Sequence, residues 1–288
     1  AGTAAVGDVS NTLMSVGALA ASPMAAHVFH EILGLRVDDP EAVAAEAAAR
    51  ARAAARGRVT VSATLHAPYS VAPALARALV REAAAAGWPV SVHLAESAEE
   101  RRLLCDGTGP WRELLEELGA WDPGWTPPGC SPVAWLERIG ALDVPLLAVH
   151  GVHLEDRELE RLAARGATLV TCPRSNAWVG VGDPPLARFY ASGVRVAVGT
   201  DSLASAPDLN LFAELAAMRR LAPGVPARRL LESATRHGAA ALGLADEIGE
   251  IAPGRRAELV AVRLPGPVGD VEEHLVGGIE PADVRWLA

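Results

Sequence analysis

The sequence predicts an α/β protein: most of a TIM-like (β/α)8 barrel, followed by a small β segment. Three observations predict it. Short apolar runs alternate with helix-periodic stretches along the chain, the order expected of βα units on a parallel sheet. The runs are apolar throughout, as in strands covered on both faces. Polar residues able to do chemistry recur where the runs end, the position at which parallel barrels carry their sites. A chain of 288 residues, 50% of them apolar, is long enough for one large core, since a barrel of about 250 residues folds as a single domain.

Seven strands are expected, over residues 3–9, 28–33, 59–65, 90–94, 146–149, 168–171 and 194–198. The second also fits a helix by its composition. Asp39 followed by Pro40 marks a helix start, and the alanine-rich stretch behind it runs to Gly57. Pro73 opens the next helix, with Leu75, Leu79 and Val80 on one face and Gly87 as its stop. Leu159, Leu162 and Ala163 lie at helical spacing ahead of Gly166. The stretch 105–142, with Trp111, Trp121, Trp125 and Trp135 and several prolines, has no strand signal and reads as a long functional loop over the barrel mouth. The barrel is expected over 1–244, and a β-sandwich remnant over 245–288, where GEIAPGRRAELVAVRL leaves the βα rhythm.

Composition narrows the function classes. The net charge is −9 and no lysine occurs, so the basic stripe of a nucleic-acid binder is missing. The arginine-only positive charge reads as genomic base bias. Cys105, Cys130 and Cys172 are widely spaced and form no CxxC pair, which fits a reducing compartment. No apolar run approaches the ~18 residues of a membrane span, and the first residues carry no basic leader. A cytoplasmic protein with a small-molecule substrate, no nucleic acid and no membrane is expected; a homodimer remains open.

The strand ends carry His66 in LHAPYS, His93 and Glu96 in VHLAES, His150 in LLAVH, Cys172, Arg174 and Asn176 in TCPRSN, and Asp201 and Ser202 in VAVGTDS. One histidine after an apolar run is ordinarily structural. Such residues recurring at the same geometric position on one strand after another are not explained that way. Zinc takes imidazole nitrogen and carboxylate oxygen and keeps one position for water in catalytic sites, so His93 and Asp201 suit ligation. Glu96, three residues beyond His93, is placed to move a proton of a water whose pKa the metal lowers toward ~7. His150 is placed to polarise that water or the developing oxyanion. Cys172 is a poor nucleophile beside Pro173 without a base, and no phosphate-binding GxxxxGK[ST] loop occurs. His27 and His30 read as structural. Glu31, embedded in FHEILG, must be paired or face substrate, and His153, His237 and His274 read as packing or solvent residues.

HAPYS, HLAES, AVHGVHL, TCPRSN and GTDS, in this order, resemble the amidohydrolase superfamily, in the branch of S-adenosylhomocysteine, methylthioadenosine and aminodeoxyfutalosine deaminases. The resemblance implies zinc, or ferrous iron in its place, held by His93 and Asp201, with Glu96 as proton shuttle and His150 stabilising the tetrahedral centre. It implies substrate contacts from His66, Glu31 and Arg174. In that family the first strand supplies two further ligands as an HxH pair, and no HxH occurs in this chain. The expectation is therefore a barrel without its first strand, an N-terminal segment of several tens of residues ahead of Ala1 in the natural protein, and weak metal binding by the ligands that remain. The function implied is deamination of an aminopurine nucleoside-like compound, 6-amino-6-deoxyfutalosine on the menaquinone route being favoured by VGDVSNT, FHEILG and the insertion. An amidase or chlorohydrolase of the same superfamily, and a catalytically silent barrel that binds a partner, are the rival readings.

Overall fold

All seven expected strands are present in the computed structural model, which describes residues 2–287. They are β1 (Ala5–Ser10), β2 (Ala25–Ile32), β3 (Val59–Leu65), β4 (Val90–Leu94), β5 (Leu146–His150), β6 (Thr168–Thr171) and β7 (Arg195–Val198). Every ladder among them is parallel: β1-β2-β3 form one sheet and β4-β5-β6-β7 another, each in chain order. The run that fits helix or strand by composition is a strand because it is paired on both sides, to β1 and to β3.

The seam between the two sheets is closed mainly by side chains, with one backbone bond at the rim. The Thr64 hydroxyl donates to the Ser91 carbonyl at 2.6 Å and accepts from the Ser91 N–H at 2.9 Å. The Ser62 hydroxyl donates to the Pro89 carbonyl at 3.1 Å, and at the rim the His93 N–H reaches the His66 carbonyl at 2.9 Å. The strands thus follow one another around an arc consistent with a TIM-like barrel, and the seam lies directly below His66 and His93. Between β7 and β1 the wall is built differently. His237 Nδ1 donates to the Val196 carbonyl of β7 at 3.0 Å, from the helix Arg236–Ala241. A Cβ on Gly7 of β1 would lie 2.9 Å from Leu242, so that glycine lets the chain beyond this helix press against the strand.

Outward residues of the strands bury against helices. Val28, Val59 and Val61 meet Val16 and Ala51, and Leu65, Val90, Val92 and Leu94 join Leu75, Leu79 and Leu136 in the main core. The helix Pro40–Ala54 starts as the sequence implies, with Asp39 accepting from the Ala42 N–H at 3.0 Å. Its buried residues, Ala44, Ala47, Ala48 and Ala51, let its backbone approach the sheet closely. Several inward residues are polar instead. His27 on β2 has Nδ1 2.8 Å from the Thr60 hydroxyl and Nε2 2.9 Å from that of Ser62, a satisfied buried histidine.

The stretch 105–142 departs from expectation. It is not a long loop: it holds the end of the helix Ala98–Asp106, the helices Pro110–Glu117 and Pro132–Arg138, and a 3-10 turn at Ala141–Asp143. Pro110 and Pro132 stand in the first turns of their helices, where a missing N–H costs nothing. Tyr69 and Trp111 stack at 4.4 Å over this segment, and Leu35, Leu103 and Leu115 pack with them. Cys105 and Cys130, separate in sequence, meet here, with the Cys105 sulfur 3.7 Å from the Cys130 carbonyl. The C-terminal segment forms an antiparallel pair, β8 (Val260–Val262) with β9 (Val284–Trp286), with the helix Val271–Val276 between them. Val276 is buried in the main core. Among the described residues no helix is long and apolar enough to cross a membrane.

Candidate metal and catalytic site

The carboxyl-terminal rim of the strands carries the chemistry, and the backbone there is strained. Four non-glycine residues among those described have positive φ, and three of them, Ala95, His150 and Asp201, follow or end β4, β5 and β7. Such conformations are uncommon outside glycine and cost about 1–3 kcal/mol each. At His150 the consequence is visible. Strand alternation puts its side chain on the outward face with Leu146 and Ala148, but φ of +73° swings the ring back over the rim, where it stacks on His93 at 5.4 Å between centroids.

His93 lies between His66, at 4.9 Å, and His150. Its Nδ1 donates to the His66 carbonyl at 3.1 Å and is 3.3 Å from Glu31 Oε1. A carbonyl can only accept, so the proton of the neutral ring sits on Nδ1 and Nε2 keeps a free lone pair. His66 Nδ1 is 2.5 Å from the Ser70 hydroxyl, which itself donates to the Ala67 carbonyl. His66 therefore also presents Nε2. Burial, then the neighbouring His93, lowers the His66 pKa to about 4, so the ring is neutral at physiological pH. Possible ligand atoms of Glu31, His66 and His93 lie within 4.8 Å of one another.

Two imidazoles with free Nε2 atoms beside a carboxylate are a donor set that suits zinc. The carboxylate and carbonyl on His93 Nδ1 are the outer partners that orient a metal-bound histidine. Asp201 belongs to no such group of three among the described residues. Its carboxylate is nonetheless held like a ligand: Oδ2 accepts from the Ser175 hydroxyl at 2.6 Å and Oδ1 from the Ser202 N–H at 2.7 Å. Burial raises its pKa, but the Ser175 hydroxyl, His150 and the Ser202 N–H outweigh that and lower it.

Glu96 is half-buried, with Oε1 3.7 Å from His150 Nε2. Burial raises its pKa, His93 opposes this, and Asp201 adds to it, the direction a proton carrier needs. Its backbone is held by Glu100, a fully buried residue whose carboxylate accepts from the N–H groups of Ala95 at 2.9 Å and Glu96 at 3.2 Å. Burial pushes the Glu100 carboxyl up to about 8. His150 is also fully buried, and its pKa is lowered to about 3 chiefly by that burial.

The structure thus brings Glu31, His66, His93, Glu96 and His150 together at one rim, and Asp201 follows the carboxyl end of β7. Two of the substrate contacts implied by resemblance find different partners. Glu31 faces His93 and accepts from the Asn11 side chain at 3.0 Å, so its carboxylate is already engaged in orienting the imidazole. Arg174 is ion-paired to Asp208 at 2.8 Å and to the buried Glu214 at 3.6 Å, and lines a separate surface pocket with Asn210, Arg220 and Glu280. None of its hydrogen bonds or ion pairs among the described residues reaches the histidine cluster. Sequence reasoning missed Asn11, Glu100 and Ser175. Only Glu100 left a trace, an acidic residue in the first turn of the helix behind Glu96.

The parallel α/β scaffold gathers imidazoles and carboxylates on one rim. The chain belongs to the amidohydrolase family, whose model matches residues 3–285. It is 34% identical over 239 residues to the 5-methylthioadenosine/S-adenosylhomocysteine deaminase of Desulforudis audaxviator, covering 79% of this chain and 51% of that one. Among solved structures it is similar to Helicobacter pylori aminofutalosine deaminase in complex with methylthio-coformycin, with a TM-score of 0.82 and 29% identity over 95% of this chain and 67% of that one. A Xanthomonas campestris adenosine deaminase with bound zinc superposes with a TM-score of 0.79 and 28% identity, covering 98% of this chain and 63% of that one. The chain spans about half the length of the first of these relatives.

Proposed function

We propose that this chain carries the catalytic rim of a zinc-dependent hydrolytic deaminase acting on an aminopurine nucleoside-like substrate, with 6-amino-6-deoxyfutalosine as the favoured compound. The observation that carries the reading is His93: its Nδ1 is tied down by a carbonyl and Glu31, its Nε2 is free, and Glu96 and His150 stand beside it. His93 and Asp201, with His66 and Glu31 adjacent, are the residues that would hold the metal. When bound, zinc supplies a water of lowered pKa.

The chain's own residues do the rest. Glu96 takes a proton from the attacking water as its oxygen adds to the ring carbon bearing the amino group, and delivers it to the adjacent ring nitrogen. His150 donates a hydrogen bond from Nε2 to the oxygen as charge builds there. A second proton transfer to the amino group lets the carbon–nitrogen bond break, so that one water is consumed and one ammonia leaves for each carbonyl formed. The similarity to proteins named for methylthioadenosine, adenosylhomocysteine and aminofutalosine supports a 6-aminopurine substrate.

The test is ammonia release by the zinc-loaded protein from 6-amino-6-deoxyfutalosine, methylthioadenosine and adenosine, run beside metal analysis. Turnover of the first with zinc bound supports the reading. Bound zinc with release from another of the three corrects the substrate, and a folded, metal-free and silent protein favours a binding role instead.

A further inference from the structure

The Nδ1 of His150 has one hydrogen-bond partner among the described residues, the side chain of Asn176. Asn176 is fully buried in the first turns of the helix Pro173–Val179, and its Nδ2 lies 3.0 Å from His150 Nδ1. Its Oδ1 is buried and has no hydrogen-bond partner. The two ends of an amide are interchangeable in shape, so which end faces the imidazole has to be decided by physical cost. With Nδ2 toward the ring, the atom left without a partner is a carbonyl oxygen. With the amide reversed, Oδ1 would accept from a protonated Nδ1, and Nε2 would turn its lone pair toward Glu96 Oε1, 3.7 Å away. A lone pair facing a carboxylate oxygen is repelled, whereas an N–H facing it is attracted. The first arrangement is therefore favoured.

We infer that Asn176 is a positioning residue: by donating to His150 Nδ1 it obliges the ring to carry its proton on Nε2, the nitrogen that faces Glu96. The Nε2 that then carries the proton stands 3.7 Å from Glu96 Oε1, beyond a direct hydrogen bond, so its N–H is left to donate at the rim. Two constraints thus act on one ring. The positive φ at residue 150 brings it over the rim, and Asn176 decides which nitrogen donates there. Without the second constraint, His150 would present a lone pair to the developing oxyanion and repel it. The consequence for rate rests on the deaminase reading; the tautomer assignment does not.

The experiment is long-range proton–nitrogen correlation NMR on the full chain labelled with ¹⁵N-histidine. The His150 signals are identified by their disappearance in His150→Gln. The expected spectrum has Nε2 protonated and Nδ1 unprotonated at neutral pH. In Asn176→Asp, whose carboxylate accepts where the amide donated, Nδ1 becomes protonated. In the deaminase assay the same variant loses at least about 10²-fold in kcat with little change in KM. A wild-type ring protonated on Nδ1, or an unchanged pattern in Asn176→Asp, overturns the inference. If Asn176→Asp does not fold, the wild-type spectrum alone decides it. A spectrum as expected from a protein that releases no ammonia would sink the proposed activity and leave the assignment intact.

Discussion

The hydroxyl of Thr64 replaces backbone pairing at the seam between the two sheets, and replacing it with a methyl group measures how much that seam contributes. Thr64 is 1% exposed and Ser91 is 4% exposed. In Thr64→Val the Ser91 N–H loses its acceptor at 2.9 Å and the Ser91 carbonyl loses its donor at 2.6 Å. An unmade buried hydrogen bond costs about 1–3 kcal/mol per group, and an under-used carbonyl falls at the low end. The added methyl returns up to about 0.8 kcal/mol of apolar burial. The net expectation is a loss of roughly 1.5–4 kcal/mol in urea unfolding with an unchanged m-value. Thr64→Ser, which keeps the hydroxyl, should recover most of it. Because the same seam fixes His66 relative to His93, zinc affinity in Thr64→Val should fall as well. Thr64→Val and wild type unfolding at the same urea concentration would refute the idea that this side chain joins the sheets.

Glu96→Gln should retain zinc and lower kcat by about 10²–10⁴-fold, because the amide fills the same space and cannot carry the proton; undiminished ammonia release would move the shuttle to another residue. Arg174→Ala tests a contact the structure redirects. Removing the partner of a buried Glu214 should cost about 1–3 kcal/mol of stability, below the usual figure for a buried pair because the Glu214 carboxyl, pushed up to about 7 mainly by burial, can take a proton. KM should stay within twofold, and a tenfold rise in KM with stability unchanged would return Arg174 to the substrate. His27 predicts a pH effect of definite sign. Burial lowers its pKa from 6.5 to about 4, so between those values the unfolded chain binds the proton and the folded chain does not. Its contribution is intact above pH 6.5 and is lost as pH falls toward 4, by up to ~3 kcal/mol. The slope of stability against pH in that window should flatten in His27→Gln, and equal slopes would discount the effect.

Much was legible in the residues alone. Short runs rich in Val, Ala and Leu with Gly and Pro between them suit strands buried under helices, so the seven-strand order followed from burial and periodicity. The rim residues His66, His93, Glu96, His150 and Asp201 followed from the same order, because a parallel strand presents its last residue to one side of the sheet. The insertion reads as loop in the sequence because tryptophan and proline mask helices whose prolines stand at first-turn positions. The meeting of Cys105 with Cys130 depends on how those helices pack, which local pattern does not encode.

Direction and protonation were decided only by the tertiary structure. Alternation along β5 would turn His150 away from the rim, and a left-handed backbone angle, which neighbouring packing must enforce, brings it back. A sequence names an imidazole but not the nitrogen that bears its proton; for His93 a carbonyl on the adjacent strand end settles that. The side chain of Arg174 is long enough to reach several places, and burial of Glu214 determines which one it takes. Strand order is a local matter of which residues must be buried, whereas the use of each polar atom depends on partners tens of residues away that chain connectivity alone does not specify.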